Sequence, residues 1–533
     1  MRYFVLGLLT AAVTLGQSEA QVLPSPDFEL SEALKHKYSR FNAEDLDFIY
    51  YFTTYAIPEK VKIRDVEVEL RKQAEAALSF VINSCASFKS DGYIKKPRRV
   101  PGSKTLWYID IRDYGWSKED IDAVFKIQPY FLAPLVDAKE NAVIFRADWF
   151  IVNAMDATKQ EDRGLKDIAY NLLLYGNGKE PRNSADFQKT WMVDIKTIRE
   201  LKLETGSIVD AGDSGVSQHT RQLRRGQTVT GYYWETRDVK SHDIDFIEEI
   251  FANRYDASEY IVSHKNGLQV YMLSAGTNDN FKVVNFADPT IVVDRQDRHD
   301  PRVRTAKGCV VCHSMGIIPY TNAVRDLFRF GGDLIVKDKD MARAIKAFYL
   351  KNDGSEVEDD NRIFKRAVEQ CNGLDPQENA KAYQNVYEWY CWQNVTQEQA
   401  ALEWGMSKEE FLDAIKATTT GRLTQLYYGK AMPRDIWDSI NAGGYIQSGL
   451  LIKRVDEKAM QSIKKKPAPS PLPESVVVNV ERTAIYDDHN RVVVYLGNGI
   501  TANVLRSYDD EWYYVRSGRW EGYLRKSHTK PVR

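Results

Sequence analysis

The chain has 533 residues, and its 73 Lys and Arg against 75 Asp and Glu leave a formal net charge of -2. No dense basic tract stands out, which argues against a nucleic-acid partner. The length exceeds what one hydrophobic core organises and implies about two to four domains, while hydrophobic residues at 43% and aromatics at 12% are ordinary globular values that allow large cores.

The N-terminus reads as a secretory signal. Arg2 is followed by the apolar stretch Phe4 to Leu15 and by small residues at Ser18 and Ala20, which places cleavage before Gln21; an uncleaved anchor is the rival reading. No later segment approaches about eighteen apolar residues in a row, so the mature chain is expected to carry no transmembrane segment. Its expected location is periplasmic or extracellular, in the cell envelope.

Residues 21 to 40, with Pro24 and Pro26, read as an irregular lead-in. From Asn42 to about Phe88 the pattern is helical, with a stripe of Ala74, Ala77, Leu78, Val81 and Ile82. Cys85 continues that stripe as a small buried hydrophobe. Residues 104 to 113 alternate as a strand, Gly115 and Trp116 end it, and Ser117 with Asp120 starts a helix. Residues 143 to 156 are rich in aromatics and embed Arg146 and Asp148, a pattern typical of a structural ion pair. Between 206 and 295 strand and loop signals dominate. Asp213 to Gln218 is a turn-rich loop, Gly231 to Trp234 reads as strand, and Asn266-Gly267 reads as a hairpin turn between Tyr260-Ile261-Val262 and Leu268 to Met272. Arg221, Arg224 and Arg225 form a small basic cluster, most simply a solvated face.

Cys309-Val310-Val311-Cys312-His313 carries the chemistry. Cys-x-x-Cys-His is the c-type haem attachment signature. Two thiols on one side of a helical turn add across the haem vinyl groups as thioethers, and the next residue, His313, supplies the proximal nitrogen to iron. That nitrogen must be unprotonated, and the other ring nitrogen then needs an acceptor. A zinc site would need a second ligand pair, and Cys85, Cys371 and Cys391 offer no second Cys-x-x-Cys. A thioredoxin-like pair belongs at a strand-to-helix turn, and a plain disulfide makes no use of His313. Cys371 with Cys391 is an open disulfide pairing. Arg146 offers a bidentate partner for a haem propionate as the alternative to its ion pair, and the Arg221 cluster offers the same or an acidic partner.

After the motif, residues 321–331, 338–351, 360–371 and 377–391 carry a helical period. Thr396 with Gln399 and Ser407 with Glu410 make two capping boxes, and 421–441 completes the helical set. Lysines and Pro467, Pro469, Pro471 and Pro473 between Gln461 and Glu474 mark an extended linker. The tail from Ser475 to Arg533 switches to short strands at roughly ten-residue spacing, as in a small barrel.

That tail resembles the bacterial SH3-like barrel through Thr483-Ala484-Ile485-Tyr486, the turn Leu496 to Gly499, Trp512 to Val515 and Gly522-Tyr523. The resemblance implies a module that docks cell-wall peptides (peptidoglycan) or another envelope protein, with Tyr486, Trp512 and Tyr523 as its aromatics. Residues 45 to 450 resemble a family of secreted bacterial monohaem c-type cytochromes of poorly known function. The matching stretches are Ile109 to Trp116, Arg146 to Phe150, Ser214 to Gln218, Asn266 to Gln269 and Gly308 to His313. The chain departs from that family at Tyr255 and Gly226, where histidines are common.

The expectation is an α+β multidomain protein. It comprises a signal peptide (1–20), a mixed α/β N-terminal region (21–300), a helical c-type haem domain (301–455), a Lys/Pro-rich linker (456–474) and a small all-β SH3-like barrel (475–533). One haem c is held covalently by Cys309 and Cys312, with His313 on iron. For the sixth ligand Met432, between Gly429 and Pro433, competes with His219, His242, His264 and His299, or with an open site. Met341 and Met406 read as filler. Two strong ligands imply electron transfer to a redox partner protein in the envelope; an open site implies a haem enzyme such as a peroxidase or oxidase. An envelope-binding or sensory protein led by its barrel is the third reading.

Overall fold

The run Ile49–Thr53 sets the first sheet. A computed structural model describes residues 26–127, 131–132, 144–156, 169–176, 178–201, 203–209, 220–239, 255–276, 281–294, 301–325, 338–350, 354–392, 394–404, 406–416, 423–440, 473–486, 492–507 and 512–532. The signal segment and most of the Lys/Pro-rich linker lie outside these residues. The chain divides into two compact units. One comprises Met1–Lys35 with Asp47–Met460, and the other comprises His36–Leu46 with Gln461–Arg533. Helices and sheets share the chain, which is α+β.

Helix α1 (Pro26–Arg40) occupies the expected lead-in. Pro26 stands at its first position, where a missing N–H is not needed, so the proline there signals a start rather than a break. Glu29 is fully buried and accepts from Thr53 Oγ1 at 2.6 Å and Thr105 Oγ1 at 2.5 Å.

Strand β1 (Ile49–Thr53) is buried at all five positions, because both of its faces are covered. A strand buried on both faces reads as a continuous apolar run, which is why periodicity took 42–88 for helix throughout. The hairpin β2 (Val61–Ile63) and β3 (Val66–Val68) follows, and the α-helix here is α2 (Leu70–Ser84), with a single 3-10 turn at Leu46–Phe48 before β1. In the first sheet the order is β4 (Arg98–Arg99), β5 (Leu106–Asp110), β1, β7 (Ile144–Arg146), β6 (Phe131–Leu132). β5 runs antiparallel to β1 and β7 runs parallel to it. Helix α3 (Lys118–Ile127) starts on the expected box, with Asp120 N–H donating to Ser117 Oγ at 3.2 Å and Ser117 N–H to Asp120 Oδ2 at 3.0 Å. The aromatic segment after 143 is the short β7 and then α4 (Ala147–Asn153). Phe145 and Phe150 of this segment cluster with Phe52, Phe145 stacked on Phe52 at 5.2 Å and Phe150 edge-on to Phe52 at 4.9 Å.

Helices α5 (Ala169–Tyr175), α6 (Ser184–Thr190) and α7 (Ile195–Glu200) lead into a six-stranded antiparallel sheet. Its strands are β8 (Glu204–Val209), β9 (Arg221–Thr228), β10 (Gly231–Arg237), β11 (Ala257–Ser263), β12 (Gln269–Ala275) and β13 (Lys282–Val283), in sequential spatial order. The Asn266-Gly267 turn joins β11 to β12, with Gly267 at φ +86° and its N–H on His264 O at 2.8 Å. Alternation divides the side chains of this sheet. Tyr260 and Tyr233 face α6, meeting Phe187 at 5.8 Å and Gln188 at 2.9 Å. Arg225, Trp234, Ile261 and Tyr271 face the other way, toward the helical region.

That region comprises α8 (Lys307–Cys312), α9 (Lys339–Tyr349), α10 (Ser355–Asn372), α11 (Pro376–Trp392), α12 (Gln397–Glu403), α13 (Lys408–Lys416), α14 (Thr424–Tyr427) and α15 (Arg434–Ile440). One of the two expected capping boxes forms in full: Glu410 N–H donates to Ser407 Oγ at 3.1 Å and Ser407 N–H to Glu410 Oε2 at 2.8 Å, whereas Thr396 caps its helix by accepting from Gln399 N–H at 3.2 Å while the Gln399 side chain turns instead to Glu403 Oε1 at 2.9 Å. It shares one continuous core with the strands before it, because α10 and α11 both pack on α2, α11 also on α4, and α10 also on β10 of the second sheet.

Cys371 and Cys391 are free. Cys371 sits at the end of α10, where its carbonyl accepts from Ser79 Oγ at 2.6 Å. Cys391 lies near the far end of α11, which begins at Pro376, shortly after Cys371. Fifteen helical residues rise about 22 Å, beyond the reach of a disulfide.

The second unit carries seven strands: β14 (Ser475–Val478), β15 (Arg482–Tyr486), β16 (Val492–Gly497), β17 (Thr501–Ser507), β18 (Trp512–Ser517), β19 (Trp520–Arg525) and β20 (Thr529–Pro531). Their order is β16-β15-β19-β18-β17-β14-β20, so β16 and β20 end the ladder and the barrel expected here does not close among the described residues. β15 meets β19 at the single pair Tyr486↔Tyr523. Gly522 permits even that approach, since a Cβ there would collide with Tyr486 O. The core is Val476, Val478, Ile485, Leu496, Ala502, Val515 and Leu524. Tyr486, Trp512 and Tyr523 are half-buried outside it, and Tyr486 and Trp512 stand edge to face at 5.6 Å.

Candidate haem-attachment site

The Cys309–His313 segment is held as one turn. Ala306 adopts φ +63° immediately before α8, and Val310 N–H then donates to Ala306 O at 2.8 Å and His313 N–H to Cys309 O at 2.7 Å. A helical turn brings positions i, i+3 and i+4 to one side, so Cys309, Cys312 and His313 all line one cavity of about 90 Å³. Its opposite wall is the second sheet, with Leu223, Trp234 and Ile261, and Ile317 and Tyr320 close its side. The polar groups in its lining include Arg221, Thr236 and Glu259.

The imidazole has a fixed tautomer. His313 Nδ1 lies 3.1 Å from Gly316 O, and a carbonyl oxygen only accepts, so Nδ1 carries the proton and Nε2 keeps its lone pair. Burial pushes the His313 pKa down to about 4, against the opposing hydrogen bond to Gly316, and the Arg221 charge acts in the same direction as burial. The ring is neutral at physiological pH.

Gly316 stands at φ +101°, and Asn361 on α10 fills the place a Cβ would take. Its amide brackets the next residue: Ile317 N–H donates to Asn361 Oδ1 at 2.6 Å, and Asn361 Nδ2 donates to Ile317 O at 2.8 Å. Asn361 therefore fixes the loop whose carbonyl fixes the histidine. Nothing in the sequence singles it out, since it lies 48 residues beyond His313. The glycine three positions after the histidine was the available signal.

Both thiols are held protonated. Burial pushes Cys312 up to about 12, with Asp294 and Glu259 adding to it, and burial raises Cys309 likewise. A disulfide oxidoreductase needs the opposite, a stabilised thiolate. No group of three or more His, Cys, Asp or Glu side chains suited to a metal ion occurs among the described residues. What the cavity offers is two thiols one turn apart, one imidazole with a bare Nε2, and an apolar wall. Those are the donors a covalently attached haem requires. The cavity is smaller than the roughly 300 Å³ of ordinary small-molecule sites, so the donor set rather than the volume carries the fit.

The other expected site residues are placed elsewhere. Arg146 is not in the lining of this cavity. It is 3% exposed and committed to Asp148, through Nε at 2.9 Å and through Nη2, and to Glu403 Oε2 at 3.1 Å. Glu403 also takes Arg434 at 2.8 and 2.9 Å and Trp437 Nε1 at 2.8 Å. Burial opposes its charge, but Arg146 and Arg434 outweigh that and hold its carboxyl well below the usual range. The structural ion pair is therefore the outcome for Arg146, because a guanidinium this buried must be neutralised on the spot.

Met432 is 1% exposed in the core and does not line the cavity; its backbone exchanges hydrogen bonds with Val395 at 2.6 and 2.9 Å. His264 is 1% exposed, with Nε2 on Ala86 O at 3.0 Å and Nδ1 accepting from Asn266 N–H at 3.1 Å, so both ring nitrogens are occupied in packing the Asn266 turn. His219, His242 and His299 lie outside the described residues.

Of the arginine cluster, Arg221 reaches the cavity. It is paired bidentately with Asp238 at 2.8 Å and with Glu259 Oε2 at 3.2 Å. Arg225 binds Asp360 at 2.8 and 3.1 Å, and Arg224 binds Glu204 at 2.6 Å. Three arginines read as a solvated face are thus buried or half-buried ion-pair partners. The other oxygen of Glu259, Oε1, is buried with no hydrogen-bond partner among the described residues. Among the described residues no helix is long and apolar enough to cross a membrane. Comparison with protein-family models, curated proteins and solved structures finds no match to this chain.

Proposed function

We propose that the protein is an exported monohaem c-type cytochrome that transfers electrons in the cell envelope. One haem c would be joined to Cys309 and Cys312, and His313 Nε2 would be its proximal iron ligand. The observation that carries this reading is the convergence of both thiols and a tautomer-locked imidazole on one cavity. Covalent haem supplies one-electron chemistry at iron. The chain's own residues hold and tune it: Gly316 O keeps the proton on Nδ1, the wall of Leu223, Trp234 and Ile261 excludes water, and Arg221 with Glu259 places a charge pair in the lining of the same cavity. Export follows from the signal-like N-terminus and is required by the attachment chemistry. The C-terminal unit resembles a bacterial SH3-like module, and its half-buried Tyr486, Trp512 and Tyr523 support docking to peptidoglycan or an envelope protein.

A haem enzyme is the second reading, favoured by Glu259. A carboxylate with one unsatisfied buried oxygen beside the iron ligand is a candidate proton acceptor. Optical spectra of periplasmically matured protein separate the two. A low-spin six-coordinate spectrum supports electron transfer, and a high-spin ferric band that shifts with cyanide supports the enzyme. Mature protein with no covalent haem, indistinguishable in mass from a Cys309→Ala variant apart from the substitution, would overturn both.

A further inference from the structure

A second and larger cavity lies where the edge of β12 parts from the segment after β13. It measures about 670 Å³, within the range of sites that enclose small organic ligands. Backbone pairing opens it: Val284 N–H donates to Leu273 O at 3.1 Å, while opposite Tyr271 the edge is met instead by Tyr170 of α5, whose hydroxyl accepts from Tyr271 N–H at 3.1 Å. The floor is apolar and partly aromatic, with Tyr175, Tyr271, Val284 and Phe286.

Around that floor stand Asn171, Glu180, Arg182, Lys282 and Asn285. None of these five side chains has a hydrogen-bond or ion-pair partner among the described residues. That differs from the rest of the unit, where Arg146, Arg221, Arg225 and Arg434 are each neutralised by a neighbouring carboxylate. Arg182 and Lys282 lie on neighbouring segments joined by the Asn183↔Lys282 bridge and by Val283 N–H on Arg182 O at 3.0 Å, and both line the cavity. Two cations against one carboxylate leave the rim positive. A guanidinium and an ammonium together suit a carboxylate, the apolar and partly aromatic lining suits an aromatic ring, and Glu180 suits a hydroxyl or amine on the same ligand.

We propose that this cavity is a binding site for a small aromatic carboxylate bearing a hydrogen-bond donor. The proposal stands on its own residues and does not require haem. It also borders the first site, because Tyr271 lines this cavity while its ring lies 6.3 Å from that of His313. A ligand here would share a wall with the proximal histidine.

The test is a titration of the full chain with 6-hydroxy-2-naphthoate, read by calorimetry and by the ligand's own fluorescence, with its methyl ester as the uncharged control. The expected result is saturable binding at one site, at least about tenfold weaker for the ester and at least about tenfold weaker after Arg182→Gln or Lys282→Gln. Both residues are exposed, so neither variant threatens folding. The same affinity is expected in Cys309→Ala, which separates this site from the haem reading. Absence of saturation up to millimolar ligand, equal binding of acid and ester, or indifference to both variants would overturn the proposal.

Discussion

Asn361→Ala should loosen the loop that orients His313 without touching the histidine. The substitution removes two hydrogen bonds, from Ile317 N–H at 2.6 Å and to Ile317 O at 2.8 Å. It leaves both backbone groups of Ile317, a residue 6% exposed, without their partner. Stranding a buried backbone group costs about 1–3 kcal/mol. Asn361 itself is half-buried, so water can reach part of the gap, and a local cost of about 2–3 kcal/mol is expected for the pair. The chain has two units and is not a two-state system, so the suitable readout is amide hydrogen exchange over residues 313–318. Exchange there should accelerate by roughly 30- to 150-fold, the factor that corresponds to this cost at 1.4 kcal/mol per decade. Asn361→Asp keeps the acceptor for Ile317 N–H and should recover about half of the loss in free energy. Arg362→Ala, one residue away and exposed, should leave the exchange unchanged. If Asn361→Ala exchanges no faster than Arg362→Ala, the clamp does not hold the loop and the account of the His313 tautomer fails with it.

Glu403→Gln removes the carboxylate that neutralises both Arg146 and Arg434. Breaking such a pair by removing one partner costs about 3–5 kcal/mol, seen as a lower melting temperature of the larger unit; an unchanged transition would refute the reading. His264 gives a signed pH dependence. Burial pushes its pKa down to about 4 from 6.5, against its hydrogen bond to Ala86, so between those values the unfolded chain binds a proton that the folded chain does not. Its contribution is fully present above pH 6.5 and declines as pH falls toward 4, by roughly 3 kcal/mol. The stability difference between wild type and His264→Gln should therefore shrink from pH 7 to pH 4.5, and a constant difference would contradict the assignment. In the C-terminal unit, Leu524→Ala should cost about 2–5 kcal/mol, since Leu524 is fully buried in the core. Trp512→Ala should cost less than that despite its size, because Trp512 is half-buried outside the core; equal destabilisation would place its ring inside.

Much of the local structure was legible because it obeys local rules. The Ser117/Asp120, Thr396/Gln399 and Ser407/Glu410 starts, the Asn266-Gly267 turn and the long helices after 338 follow from hydrogen bonds and periodicities within a few residues. β1 was misread for a definite reason. Its five residues are all buried, so the alternation that marks a strand is absent, and the burial comes from partners up to about 95 residues away, at β7. Pro26 misled in the same way, since a proline at a first helical position and one in a loop look alike until the helix is seen.

The sequence by itself determined which groups meet at the candidate site. Cys309, Cys312 and His313 share one side of a turn whatever surrounds them, because that spacing is set by helix geometry. Their environment was decided only by the tertiary structure. Asn361 beneath Gly316, the sheet wall of Leu223, Trp234 and Ile261, the withdrawal of Arg146 to Glu403 and of Met432 into the core, and the meeting of Arg182 and Lys282 at the second cavity all depend on contacts between segments far apart in the chain. Hydrogen bonds and ion pairs of that kind have no periodicity and no fixed spacing, so they can be read only once the chain has folded.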